Sequence, residues 1–548
     1  MTVFSSKIAK AVLAASSALA LTFSLIQPAQ AEDAPVPTLF SASDVATRPI
    51  TEDSVGMQMF GWNWNSLATE CPGHLGPNGI NWILVMPPSD HINGTEWWIH
   101  YQPTSYQLNS DLGTATEFAA MVKACNDAGV QVVVDAVVNH MAGSSGVSYA
   151  GVKYGTNLNF FNADGTPLYT AANFHEGLAK TDPHYCDHNI NNWDAEPERF
   201  DCRFPGLPDL ATEQPYVQQQ IAKYLNSMLD LGVAGFRIDA AKHMPPADIA
   251  SIEALLHGKP YIVQEVPGGK SQNADYLATG DVWAWDTVND ANKFFSRPGS
   301  VYSAGIWDTL ADFNFNPSSK SLTWVTNHDT EHHGGAVNYH QTGLYQLAFV
   351  WDLAVRFGKP MLYSAYTYSY SNSDGSAPRV DNKIADAKCA SDTGPLFGSS
   401  KVKKTVIVKK KKVTKYVTVV NRATDSYKPG YFTCVQRWTA IAGMTAFHHS
   451  VGRAEVSNTY AKLGTLAFAR TGKGYIVINS AVANYAAKKM ATGLPAGVYC
   501  DLITGGGNPV KTPGSACVGT KVTVASDGTL TATVPGISAI AITVDSKL

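Results

Sequence analysis

Charge is scarce in this chain. Asp, Glu, Lys and Arg make up 16% of its 548 residues and the net charge is -4, so no broad field of one sign exists to hold nucleic acid. No C-x-x-C pair occurs, which argues against cysteines as metal ligands. No H-E-x-x-H or similar spacing appears either, which weakens metal-assisted hydrolysis as a reading. Beyond the N-terminus no apolar run reaches the length of a transmembrane helix. Any specificity has to come from local sites.

What is present bounds the answer further. The length is too great for one ordinary domain and suits a large barrel with smaller modules, and 45% apolar residues supply a sizeable core. Aromatics reach 10%, with 12 Trp and 24 Tyr; flat rings stack on sugar faces, although ordinary core packing accounts for the count equally well. Lys7 and Lys10 precede an apolar run from Ala11 to Ile26, and Ala29-Gln30-Ala31 follows as a small-residue cleavage site. Residues 1–31 therefore read as a secretory signal peptide, with Glu32 starting a secreted, extracellular chain. Export makes the eight cysteines disulfide partners. Sequence order favours neighbours, Cys71 with Cys125, Cys186 with Cys202, Cys389 with Cys434 and Cys500 with Cys517, among about 105 possible connectivities.

Short apolar runs alternate with helical patterns. Val55–Phe60, Trp82–Met86, Val130–Val138, Val233–Ile238, Tyr261–Val263, Leu322–Thr326 and Met361–Tyr363 read as strands, with an eighth around Val301–Trp307. Thr114-x-x-Glu117 is a capping box that opens one intervening helix. Repeated βα units of this kind predict an α/β fold, an eight-stranded TIM barrel spanning 32–140 and 206–454. Residues 141–205 show no helical period and read as an excursion after the third strand. From 455 to 548 short alternating strands with Gly/Pro turns predict a C-terminal all-β domain. Within the barrel half, Ser399–Thr424 reads as a basic β-hairpin inserted between Cys389 and Cys434, a solvated insertion or a contact for an anionic surface.

Reactive groups in such barrels sit just past the C-terminal ends of the strands. The third strand ends in Asp135 and Asn139-His140, the fourth in Arg237-Ile-Asp239 followed by Lys242-His243, the fifth in Gln264-Glu265, the seventh in Asn327-His328-Asp329. Any one of these could be a loop charge or a cap. As a ring they leave a surplus of negative charge around one arginine, and buried charge is costly unless paired or functional. Converging carboxylates suit glycoside hydrolysis, where one attacks the anomeric carbon and another, kept protonated by its neighbours, supplies a proton to the leaving oxygen.

Asp135-Ala-Val-Val-Asn139-His140, Gly235-Phe-Arg237-Ile-Asp239-Ala-Ala-Lys242-His243, Gln264-Glu265-Val266 and Asn327-His328-Asp329 resemble, in order, the four motif regions of the α-amylase family. Gly206-Leu-Pro-Asp209-Leu resembles its fifth motif, and Trp97-Trp98-Ile-His-Tyr101-Gln102-Pro103 the substrate loop of its animal and actinobacterial branch. The likeness runs from about Gly56 to Val544, with 399–424 lacking a counterpart. The resemblance implies a retaining endohydrolase of α-1,4-glucans such as starch, glycogen and maltooligosaccharides. It implies Asp239 as nucleophile, Glu265 as general acid/base, Asp329 as the third carboxylate and Arg237 as the group that positions Asp239. His140 and His328 would bond sugar hydroxyls, Trp97, Trp98, Tyr101 and Gln102 would form the stacking floor, and Lys242 and His243 would touch leaving-side sugars. A structural Ca²⁺ is implied on Asn139, Asp209 and the backbone carbonyl of His243, as is the same neighbour pairing of cysteines. Chloride-activated relatives carry an arginine on the eighth strand where Tyr363 stands here, so chloride activation is not expected. A monomer without a membrane span is expected. A transferring or maltogenic relative, or a glucan binder without activity, are the other readings.

Overall fold

Eight short runs of buried residues close into a parallel barrel: β1 Gly56–Met59, β2 Trp82–Val85, β3 Gln131–Ala136, β4 Gly235–Ile238, β5 Tyr261–Gln264, β6 Asp281–Trp283, β7 Ser321–Trp324 and β8 Lys359–Ser364. The ring closes where β1 pairs with β2 on one side, Gly56 opposite Trp82, and with β8 on the other, Gly56 opposite Met361. The computed structural model describes residues 46–548 except 205, 269–272, 301–315, 369–374, 392–393, 395–398, 409–410, 421–428, 463 and 509–516. The signal-peptide reading of 1–31 lies outside the described residues. Among the described residues no helix is long and apolar enough to cross a membrane.

The barrel interior is an apolar plug of Trp82, Leu84, Val133, Val263, Trp283, Leu322, Trp324 and Met361. Alternation along a strand keeps every second side chain on one face. Two positions beyond inward Val133 comes Asp135, and two beyond Val263 comes Glu265, so the pleat carries charge to the C-terminal mouth above this plug. The opposite mouth is closed by a buried ion pair between Lys359 Nζ and Asp281 Oδ2 at 2.5 Å. Gly235, at the start of β4, is required by close approach: a Cβ there would lie 2.1 Å from the Tyr261 carbonyl oxygen on β5. Outside the strands, helix Ala115–Asp127 opens on the expected reciprocal cap, with Thr114 and Glu117 each accepting from the other's backbone N–H, and the chain leaves it through Gly129 at φ 77°.

One strand differs from expectation. The sixth is Asp281–Trp283, paired to β5 through Val282 and Gln264 and to β7 through Val282 and Ser321. It is three residues long and runs almost directly into helix Trp285–Phe295, too short to show a period of its own. Val301–Trp307, where the sequence pointed, lies outside the described residues.

After β3 the chain makes its excursion, built from two small hairpins, Gly146–Val147 with Lys153–Tyr154 and Phe160–Phe161 with Pro167–Tyr169, and pinned by Cys186–Cys202. Cys71–Cys125, Cys389–Cys434 and Cys500–Cys517 are the other disulfides. Two four-stranded antiparallel sheets follow the barrel. One orders Val456–Lys462, Thr465–Arg470, Gly474–Asn479 and Ser538–Thr543; the other orders Tyr485–Ala491, Thr529–Val534, Lys521–Val524 and Gly497–Cys500. They enclose their own core around Tyr475, Val477, Tyr499, Leu530 and Ile542. Arg470 ties the first sheet to the barrel, its buried guanidinium donating to the carbonyls of Ala354 and Gly452.

Candidate active site

Arg237, the inward residue of β4, is fully buried and stands at the centre of the C-terminal mouth. Its Nη1 donates to Asp135 Oδ1 at 2.6 Å and to Asp239 Oδ1 at 2.7 Å, and its Nη2 lies 2.8 Å from Glu265 Oε2. Below, its guanidinium covers the ring of Trp283 at 4.9 Å. Three carboxylates thus converge on one cation, and a fourth, Asp329, follows β7.

The local backbone explains the convergence. Asp239 N donates to Ala136 O and Glu265 N to Ile238 O, so the ladder of the barrel continues one residue past each strand and fixes both acids. Ala240 then turns at φ 50°, and its N–H donates to Glu265 Oε2 at 3.0 Å. Asp329 sits in the first turn of helix His328–His333, whose start is capped by the Asn327 side chain accepting from Thr330 N.

Burial and crowding set the protonation states. The Glu265 carboxyl is pushed up to about 8, first by desolvation, against the pull of Arg237 and with Asp239 and Asp329 adding repulsion. Desolvation also lifts Asp329 to about 6 and Asp135 to about 7. Asp135 is satisfied on both oxygens, since Tyr101 Oη donates to Oδ2 at 2.9 Å. Its role is to anchor Arg237 and Tyr101 beneath the cavity.

The cavity itself holds about 430 Å³ and is lined by every expected catalytic and sugar-contacting residue except Arg237, which lies beneath it. Asp239, Glu265 and Asp329 share it with Trp97, Trp98, Tyr101, Gln102, His140, Lys242, His243 and His328. His328 is clamped: Gln58 Nε2 lies 2.9 Å from its Nδ1, and its ring stacks between Phe60 and Tyr101. An amide donor on Nδ1 leaves Nε2–H turned toward Asp329, 3.4 Å away. His140 is less free than expected, because its Nε2 contacts the Tyr101 carbonyl at 3.0 Å. Trp97 is buried against His332, while Trp98 stays half-exposed. Phe204, Leu207, Pro267, Trp285 and His333 also line the cavity. Phe204, Leu207 and Pro267 stand on loops, Trp285 opens helix Trp285–Phe295 and His333 ends helix His328–His333, positions that no periodic pattern marks.

A larger hollow of about 530 Å³ lies between Pro77–Gly79, helix Thr439–Val451 and Thr543–Ser546. Asp545 is the one carboxylate in its lining, whereas the smaller cavity gathers Asp239, Glu265 and Asp329. Behind the aromatic loop, His91, His100 and Asp111 form a buried group that sequence reasoning missed. Asp111 is committed on both oxygens, to His100 Nε2 at 2.6 Å and to Arg379 Nη1 at 2.5 Å. That arrangement reads as a brace for the Trp97–Gln102 loop.

Two of the three implied calcium ligands also meet. Asn139 and Asp209 are both buried, 3.1 Å apart between Nδ2 and Oδ1, and Leu210 N donates to Asn139 O. Desolvation pushes the Asp209 carboxyl up to about 7, and against desolvation the hydrogen bond and charge of Asp209 raise the His175 imidazole, whose Nδ1 lies 2.7 Å from Asp209 Oδ2, to about 9. The buried side-chain oxygens of Asn139 and Asp209 are hard donors of the kind that suits Ca²⁺.

Residues 83–284 match the family description "Alpha amylase, catalytic domain". The chain is 32% identical over 504 residues to pancreatic α-amylase of Sus scrofa, covering 86% of this chain and 90% of that one. It is 31% identical over 521 residues to an α-amylase of Thermomonospora curvata, covering 92% and 76%. Among solved structures, α-amylase I of Eisenia fetida aligns with a TM-score of 0.75 at 27% identity over 90% of this chain and 97% of that one. A mutant of the Eisenia enzyme in complex with maltohexaose aligns with a TM-score of 0.73.

A reaction that draws its proton from Glu265 needs the protonated form, which is the majority below a pKa of about 8 and is lost as pH rises through it. The rate–pH profile on a soluble glucan should therefore fall on its alkaline side near that value. A plateau running well above it would show that the Glu265 proton is not used.

Proposed function

The chain belongs to the α-amylase family and hydrolyses α-1,4-glucans, and we propose that it cuts internal bonds by double displacement with Asp239 as nucleophile. The observation that carries this assignment is the Arg237 cluster: one guanidinium contacts Asp239 and Glu265 within one aromatic-lined cavity. Arg237 bonded to Asp239 Oδ1 aims that carboxylate, while Glu265 keeps its proton. Asp239 attacks the anomeric carbon as Glu265 protonates the departing glycosidic oxygen. The resulting glycosyl ester is then opened by water, whose proton returns to Glu265. Asp329 and the Nε2–H of His328 are placed to grip hydroxyls of the same sugar. Trp98 and Tyr101 give its ring a stacking floor, with Gln102, His140, Lys242 and His243 around it. The fully apolar plug below excludes water from that side. The Eisenia enzyme's maltohexaose complex supports a linear maltooligosaccharide as ligand. The four disulfides and the N-terminal sequence support a secreted protein.

Asp239→Asn, Glu265→Gln and Asp329→Asn should each cut turnover by about a thousandfold or more with the fold intact. Reducing ends released from amylose, their size distribution and circular dichroism check this. Fresh products should be α-anomers, large before they are small. Full activity in the Asp239 variant, or β-anomers at early times, would remove the assignment. No release of reducing ends by the unmodified protein would leave a glucan binder.

Ca²⁺ fits the donors of Asn139, Asp209 and the His243 carbonyl, where its charge would brace the excursion against the mouth. Because a ligand of the native state stabilises it, by about 2.7 kcal/mol at a hundredfold excess over Kd, chelation should lower the melting temperature by several degrees. Re-adding Ca²⁺ should restore it. A melting temperature indifferent to chelator would contradict the site.

Chloride should have little effect. Arg237 Nε and Asn327 Nδ2 are buried without an acceptor, so donors for a water or a halide exist behind the carboxylates. A halide would also need its charge met. Arg237 is already shared by three carboxylates, Tyr363 lies against Glu331, and Lys359, the one cation of β8, is tied to Asp281 at the far mouth. Turnover of dialysed enzyme at constant ionic strength should stay level as chloride is added. A saturable severalfold rise would show an anion site.

A further inference from the structure

Between Cys389 and Cys434, whose disulfide closes its base, the chain carries an antiparallel hairpin, Ser399–Val408 against Lys411–Val420. Each strand runs ten residues. They pair with each other and with no other strand among the described residues. Residues 399–424 hold eight lysines and Arg422 but no Asp or Glu. These are nine of the chain's 41 Lys and Arg; the rest, with 32 cations against 45 acids, carries -13. Positive charge is therefore concentrated on one element of an otherwise acidic protein.

Strand formation does not ask for this arrangement. The register sets Lys404 directly opposite Lys415, and like charges at paired positions destabilise a sheet. A two-stranded hairpin is marginal in water to begin with. The same register sets Val402, Val406, Val408, Val413, Val417 and Val419 at positions of one face with Lys404, Lys411 and Lys415, and sets Lys401, Lys403 and Lys412 at positions of the other with Ile407, Val420, Tyr416 and three threonines.

We propose that this hairpin docks the protein on bilayers that carry anionic phospholipid. The acidic headgroups relieve the lysine repulsion, and the valine row enters the interfacial layer. A nucleic acid or sulfated glycan would engage the lysines and leave the valines in water. Lysines on open edges also discourage pairing with other chains, a role that needs no lipid, and the test separates the two.

The full-length protein is sedimented at low salt with phosphatidylcholine vesicles and with vesicles containing phosphatidylglycerol. Binding should be at least about tenfold stronger to the anionic vesicles and should weaken as salt screens the surface. Changing Lys401, Lys403, Lys404, Lys411, Lys412 and Lys415 to Gln should abolish it. Changing Val402, Val406, Val413 and Val417 to Ser should weaken vesicle binding several-fold while retention on heparin persists. Turnover on a soluble maltooligosaccharide should be unchanged in both variants, and also when residues 401–421 are replaced by a Gly/Ser linker. Equal or absent binding to the two vesicle types overturns the proposal. Vesicle binding that ignores the valine changes reduces the hairpin to a general polyanion binder, and a collapse of turnover in the linker variant would place it in the glucan site.

Discussion

One guanidinium holds the mouth of this barrel together. Arg237 is buried completely, contacts Asp135, Asp239 and Glu265, and rests on the ring of Trp283. Breaking a buried charge pair by removing one partner typically costs about 3–5 kcal/mol, because the other is left uncompensated. Here three partners would be left. The positions of the acids, the orientation of Tyr101 through Asp135, and the placement of the aromatic floor all follow from this contact.

The same contact leaves a deficit. One positive charge cannot neutralise Asp135, Asp239, Glu265 and Asp329 in a site closed below by tryptophan, valine, leucine and methionine. The cheapest remedy in low dielectric is to keep a proton, and Glu265 is where burial and repulsion act together most strongly. An acid beside an ionised carboxylate is the pairing that glycoside hydrolysis needs. The chemistry is thus a consequence of how the charge of the mouth is balanced.

Much of this was legible in the sequence where strands are short and end in charged residues. Gly235-Phe-Arg237-Ile-Asp239 shows a strand, a close approach and two functional side chains within five residues. What stayed hidden was short or non-local. β6 has three residues and passes straight into a helix, so no period marks it. Phe204 reaches the cavity from a loop and Trp285 and His333 from helix ends, where periodicity carries little signal. The brace of Asp111 by His100 and Arg379 joins residues 11 and 268 positions apart, a pairing that only the folded chain brings about. His140 was read as free for sugar, yet the backbone of the aromatic loop already engages its Nε2.

The account stands or falls on the protonation of Glu265. Infrared difference titration, with Glu265→Gln subtracted to isolate its carboxyl, reads that state without relying on turnover. The carboxyl should remain protonated through neutral pH and ionise near 8. In Asp239→Asn, where the neighbouring negative charge is gone, ionisation should move to lower pH. A Glu265 that ionises in the ordinary carboxylate range, with the Asp239 substitution making no difference, would contradict the claim that the shared guanidinium leaves this acid its proton.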